Sequence, residues 1–111
     1  MVLLEVPVDC WESVLAARSG GAKRLELCSA LELEGLTPDD ELVRSVLAQR
    51  DPLPAFAMVR PRAGDFCYDD RELASMLEDV EHLADMGVQG ILTDYPDRLL
   101  RLMGRPLAGA R

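Results

Sequence analysis

Three groups of residues in this chain can do more than pack. The cysteines are Cys10, Cys28 and Cys67. Their odd number and wide spacing fit neither a disulfide framework nor a zinc ribbon. Soft thiolates, with the thioether of Met58 as a further soft donor, suit Cu(I). The alternative for each is a small buried hydrophobe. The second group is Arg60 and Arg62, which flank Pro61. Guanidinium forks take carboxylates or phosphates bidentately, so the pair reads as an anionic small-molecule site, with Asp65 as a competitor inside the same loop. The third group is Glu5 and Glu26. Together with Arg60 they make either a structural ion-pair network or a ligand-binding constellation. His82 stands beside Glu81 and Asp85 in a helical stretch and reads as a solvated position. Asp39, Asp40, Asp69 and Asp70 read as partners of helix dipoles.

Short elements must position these residues. An apolar run over 3–8 is a first strand. Asp9 and Glu12 have capping-box spacing, which predicts a helix over 10–19. Period-two alternation over 24–28 gives a second strand. Thr37 suits an N-cap and Pro38 the first helical position. Leu42, Val43, Val46 and Leu47 form one apolar stripe. A third strand over 55–59 ends in the arginine loop. Asp69 and Glu72 repeat the capping spacing ahead of Leu73, Met76, Leu77, Val80, Leu83 and Ala84, an amphipathic pattern. A fourth strand over 88–93 and a helix from Pro96 to about Met103 follow. Residues 105–111 read as a frayed tail.

Strand–helix alternation implies a parallel sheet with right-handed crossovers. The fold class is therefore α/β, and about four βα units make half of an eight-unit TIM (β/α) barrel. The partial barrel would occupy residues 1–104. A small open doubly wound sheet is the alternative, although no glycine-rich phosphate loop is present. Strand parity places Glu5, Arg24, Glu26, Cys28, Phe56, Met58 and Arg60 on the face opposite the helices. Barrel sites sit at the C-terminal strand ends, which points Cys28 and Arg60 toward function and Glu5 toward structure. An open half barrel would leave Leu3, Phe56 and Met58 uncovered and two sheet edges unpaired. That predicts a homodimer of eight strands.

The chain has 111 residues, a net charge of −8, 49% hydrophobic residues and 5% aromatics. The core is accordingly aliphatic. The acidic balance argues against a nucleic-acid partner and against an anionic membrane surface. Glu5, Asp9 and Glu12 interrupt any N-terminal apolar run, so no secretory signal is legible, and no stretch approaches the ~20 apolar residues of a membrane span. With unpaired cysteines, a reducing cytoplasm is the expected setting.

Several segments resemble the copper homeostasis protein CutC family. They are Leu3-Leu4-Glu5-Val6 with Val8-Asp9, Gly20-Gly21-Ala22, Arg24-Leu25-Glu26-Leu27-Cys28-Ser29, Gly35-Leu36-Thr37-Pro38, Arg60-Pro61-Arg62, Gly64-Asp65-Phe66, Tyr68 and Met76-Leu77-Glu78-Asp79. They occur in the family's order over about residues 1–92. The resemblance implies a (β/α)-barrel relative, a cytoplasmic setting and a role in copper handling rather than a defined reaction. It makes Cys28 the first candidate copper ligand and puts Glu26, Arg60, Arg62 and Asp65 around the barrel mouth. Pro7 stands where many relatives have cysteine, and Glu34 and Ala63 replace glycines. The stretch from Gly87 to Leu99 resembles the last βα unit of glycerophosphodiester phosphodiesterases. Copper homeostasis through metal binding, without enzymatic activity, is thus the expected function. The alternatives are a half barrel, derived from an enzyme, that binds a phosphorylated or carboxylated small molecule, and an inactive fragment.

Overall fold

The computed structural model describes residues 2–33, 35–60 and 70–104. Asp65, Cys67, Arg62, the capping residue Asp69 and the tail 105–111 lie outside the described residues. The elements run in the order β1 (Glu5–Val8), α1 (Trp11–Ser19), β2 (Arg24–Leu27), a 3₁₀ turn (Leu31–Leu33), α2 (Asp40–Leu47), β3 (Ala55–Met58), α3 (Asp70–Met86), β4 (Gly90–Leu92) and α4 (Pro96–Leu102). The four strands form one sheet in the order β1-β2-β3-β4, and every pairing is parallel. This is the α/β, partial-barrel arrangement that alternation in the sequence predicts.

One face of the sheet is dry. Val8, Leu25, Leu27, Ala55, Ala57 and Val59 are all fully buried. They meet Val14 and Ala17 of α1, Leu42, Val43 and Val46 of α2, and Met76, Val80 and Leu83 of α3. These residues recur at period two in the strands and at helical spacing in α2 and α3, so each element turns one side to a common core. Small Ala55 and Ala57 in β3 leave room for the bulky side chains of the helices above them.

Two helix starts differ from expectation. Cys10 has extended backbone angles (φ −150°, ψ 165°), so the first helix begins at Trp11 and Cys10 is its N-cap. Ser13, not Glu12, closes the turn: its hydroxyl accepts from the Cys10 and Asp9 N–H groups, each at 3.2 Å. In α2 the cap is Asp39, whose Oδ1 accepts from Leu42 N–H at 2.8 Å, in place of Thr37. Thr37 is engaged elsewhere, because its hydroxyl accepts from the Arg60 N–H at 3.1 Å. A further difference concerns the face away from the helices. Leu3 is 63% exposed there, but Met58 is only 8% exposed and Phe56 is half-buried. The phenyl ring is covered by the Arg24 guanidinium, 4.4 Å above its centroid.

Candidate functional site

The second face of the sheet is polar, and its residues come from neighbouring strands in register. Glu5 lies level with Arg24, Glu26 with Phe56, and Phe56 with Gly90. Arg24 Nε donates to Glu5 Oε1 at 2.7 Å while the same guanidinium stacks on Phe56. The ring in turn packs against Gly90, where a methyl group would come within 2.6 Å of Cε2. Gly90 is therefore a close-approach glycine. Glu5, expected to be structural, is held in this stack.

Glu26 points to the same face and has no ion-pair partner among the described residues. Burial raises its pKa, the like charge of Glu5 raises it further, and Arg60 pulls it partly back. The carboxylates and arginines that parity brings to one face thus interact, as the sequence pattern predicts.

The C-terminal end of the sheet carries Cys28 and Arg60. Cys28 follows β2 directly and is 1% exposed. Its thiol donates to the Val8 carbonyl at 3.5 Å. A tight loop closes over it. Ser29 and Leu36 exchange backbone hydrogen bonds of 2.9 and 2.7 Å, and this brings Gly35 against the thiol. A Cβ at Gly35 would lie 3.4 Å from Cys28 Cβ, and its φ of +89° suits glycine alone. Ala30 in this loop also has a left-handed φ of 48°, held by donation to its carbonyl from Leu33 and Gly35. Burial, then the charges of Glu26 and Asp9, push the Cys28 thiol up to about 11, against a weaker lowering by Arg60. At neutral pH Cys28 is a protonated thiol.

Arg60 follows β3. Its Nε lies 3.1 Å from Asp94 Oδ2, just past β4. The contact is an ion pair but not a well-aligned hydrogen bond, and the buried Nε proton is unsatisfied among the described residues. Thr37 holds the Arg60 backbone, so the α2 entry loop fixes where β3 ends. Cys10, in contrast, is exposed at the start of α1. Among the described residues no group of three or more His, Cys, Asp or Glu side chains is placed to hold a metal ion. His82, expected to be solvated, is exposed but faces Asp40, with Nε2 2.9 Å from both carboxylate oxygens. Asp94 and Thr37 were not singled out as site residues from the sequence. The signal for Asp94 was parity, since it lies on the same face as Leu92. The position of Thr37 depends on a loop path that has no periodicity.

A sequence model of the CutC family matches residues 2–98 of this chain, from before β1 into α4. The chain belongs to the CutC family. Curated CutC family proteins from Caulobacter vibrioides and Aliivibrio fischeri are 49% and 43% identical to it over 90 and 91 residues. These alignments cover 81% and 82% of this chain but 36% of each relative. The chain thus spans about a third of the length of the curated CutC proteins it matches. A crystal structure titled as the putative copper homeostasis protein CutC from Streptococcus agalactiae superposes with a TM-score of 0.74 at 26% identity. It covers 96% of this chain and 58% of that one. The CutC-like order of motifs read in the sequence corresponds to this shared fold.

Proposed function

We propose that this CutC-family chain serves copper homeostasis in the cytoplasm, as a copper-handling protein rather than an enzyme. The observation that carries the reading is Cys28, a thiol at a strand end under a loop shaped by Gly35. A thiolate is the preferred donor for Cu(I). The described residues supply no complete ligand set, so the reading rests on Cys28, with Cys10 and Cys67 as further candidate thiols. Because the Cys28 thiol is pushed up to about 11, the metal must displace a proton. Apparent affinity should then rise about tenfold per pH unit across neutral pH. Competition with a Cu(I) chelator from pH 6 to 8 tests this, using wild type, Cys28→Ser and Cys67→Ser. Expected is loss of binding in Cys28→Ser and a smaller change in Cys67→Ser. Unchanged affinity in Cys28→Ser, or no pH dependence in wild type, refutes the role of Cys28.

The unsatisfied Arg60 Nε favours a second reading, in which the strand ends hold a carboxylate or phosphate of a small molecule. Glu26 and Asp94 border that place, and Arg62 and Asp65 follow it in the sequence. Phosphate should then raise the melting temperature by mass action, and Arg60→Ala should abolish the effect. Equal stabilisation of the variant identifies a general salt effect.

A further inference from the structure

Asp94 stands where a ligand would stand. Its Oδ2 lies 3.1 Å from Arg60 Nε, yet the buried Nε proton has no hydrogen-bond partner among the described residues. The two groups attract each other but are misaligned. A guanidinium and a carboxylate at their best meet fork to fork, with N–H groups aimed at the oxygens. The cause of the mismatch lies in how each group is held. Arg60 is fixed at its backbone, because the Thr37 hydroxyl accepts from its N–H at 3.1 Å and donates to its carbonyl at 3.4 Å. Only 22% of its side chain is exposed. Asp94 lies in the bend between β4 and α4, and 53% of its side chain is exposed. Rotation about its side-chain torsions takes that carboxylate into water and leaves the guanidinium in place.

We propose that Arg60 is a subsite for the carboxylate group of a small molecule, and that Asp94 is an internal stand-in which this carboxylate displaces. The proposal rests on the reading of Arg60 as an anion site, and it narrows the ligand from carboxylate or phosphate to carboxylate.

Charge decides between the two anions. A displaced Asp94 stays close by in the chain, so a ligand adds its whole charge to this end of the sheet. The charges of Glu26 and Asp9 already push the Cys28 thiol up, and the charge of Glu5 raises Glu26 in turn. Arg60 opposes both effects. A carboxylate brings one negative charge to Arg60, whereas a phosphoryl group brings about 1.5 to 2 near pH 7. A guanidinium already faced by carboxylates accommodates the smaller charge better. Shape agrees with charge. A planar carboxylate matches the planar guanidinium fork, and Asp94 shows that a group of this kind fits here.

The buried Nε proton is the probe. Its nitrogen–hydrogen cross-peak in NMR spectra of the full chain is identified by its absence from Arg60→Ala. Sodium acetate is titrated against it, with sodium chloride as the control for ionic strength and inorganic phosphate as the rival anion. Acetate should shift the cross-peak in wild type. In Asp94→Ala the stand-in is gone, and acetate should bind up to about fivefold tighter, the most that a partly exposed ion pair ordinarily contributes. Asp94→Asn keeps the shape and removes the charge. It should tighten acetate too, and it carries the test if Asp94→Ala does not fold. Phosphate should bind more weakly than acetate in all three proteins. No response to acetate in wild type or in either variant overturns the anion site and the stand-in together. Equal affinities in the three leave Arg60 as an anion site and overturn the role of Asp94. Tighter binding of phosphate overturns the choice of carboxylate, and an equal response to chloride overturns any specific site.

Discussion

Gly90→Ala tests the stack that organises the polar face. The added methyl would lie 2.6, 2.7 and 2.9 Å from Cε2, Cδ2 and Cζ of Phe56. Carbon atoms in contact prefer about 3.5–4.0 Å, so the ring must retreat by roughly 1 Å. It cannot do so freely, because Arg24 sits 4.4 Å above its centroid and is anchored to Glu5 at 2.7 Å. Overpacking of this kind costs about 1–3 kcal/mol, of which about 0.5–1 kcal/mol is the lost guanidinium–ring contact. At ~4–8 °C per kcal/mol for a domain near this size, the melting temperature should fall by roughly 4–24 °C. The assay is urea and thermal unfolding of Gly90→Ala, Phe56→Ala and the double variant. In the Phe56→Ala background the methyl meets no ring, and Gly90→Ala should be neutral or stabilising, since glycine weakens a strand by ~0.5–1 kcal/mol. The coupling in this cycle should therefore be at least about 1 kcal/mol. Equal losses in the two backgrounds would refute the stack as the reason for glycine at this position.

Other perturbations probe the groups around it. The Cys28 thiol titrates near 9 when unfolded and about 11 when folded. The unfolded chain therefore loses its proton first as pH rises, and stability from this group is intact below about 9 and lost between about 9 and 11. That loss is up to about 3 kcal/mol, and it should be absent from the unfolding free energy of Cys28→Ala followed over the same range. Glu26 is also raised, so ionising it opposes folding above the ordinary carboxylate range. Glu26→Gln should raise the melting temperature at pH 7, with the gain vanishing toward pH 4; a gain unchanged at pH 4 would exclude the charge as its cause. Asp39→Ala removes the α2 cap and should cost about 1 kcal/mol in urea unfolding, whereas Thr37→Val should act instead through the end of β3. Ala30→Gly relieves a left-handed alanine and should stabilise by up to about 1 kcal/mol, measured in the same way.

The elements were legible where one periodicity dominated. Leu25 and Leu27 alternate with Arg24 and Glu26, and burial separates the two pairs by face. Leu42, Val43 and Val46 form the stripe that α2 buries. The helix starts were less legible, because Asp9, Thr37 and Asp39 all have side chains that can cap. The choice among them depends on which competing hydrogen bond the tertiary structure offers. Thr37 is diverted by Arg60, and Asp9 Oδ2 lies 3.4 Å from the Leu31 N–H across the sheet end. The polar cluster followed from parity, but its pairings did not. Sequence alternation places Glu5, Arg24, Glu26 and Arg60 on one face without saying that Arg24 takes Glu5 or that Arg60 takes Asp94. Those choices follow from the strand register.

The register also explains why this face is charged at all. Glu5 and Arg24 are side by side in one row and Glu26 in the next. Their side chains remain partly wet, at 26% and 37% exposure for Glu5 and Arg24. In an open sheet they are solvated at little cost. Closure of a barrel would desolvate them, and charges enclosed together must then be balanced. Arg24 with Glu5 and Arg60 with Asp94 are already balanced within one chain, leaving Glu26 as the carboxylate with no described partner. Its raised pKa means that a proton can neutralise it as water is withdrawn.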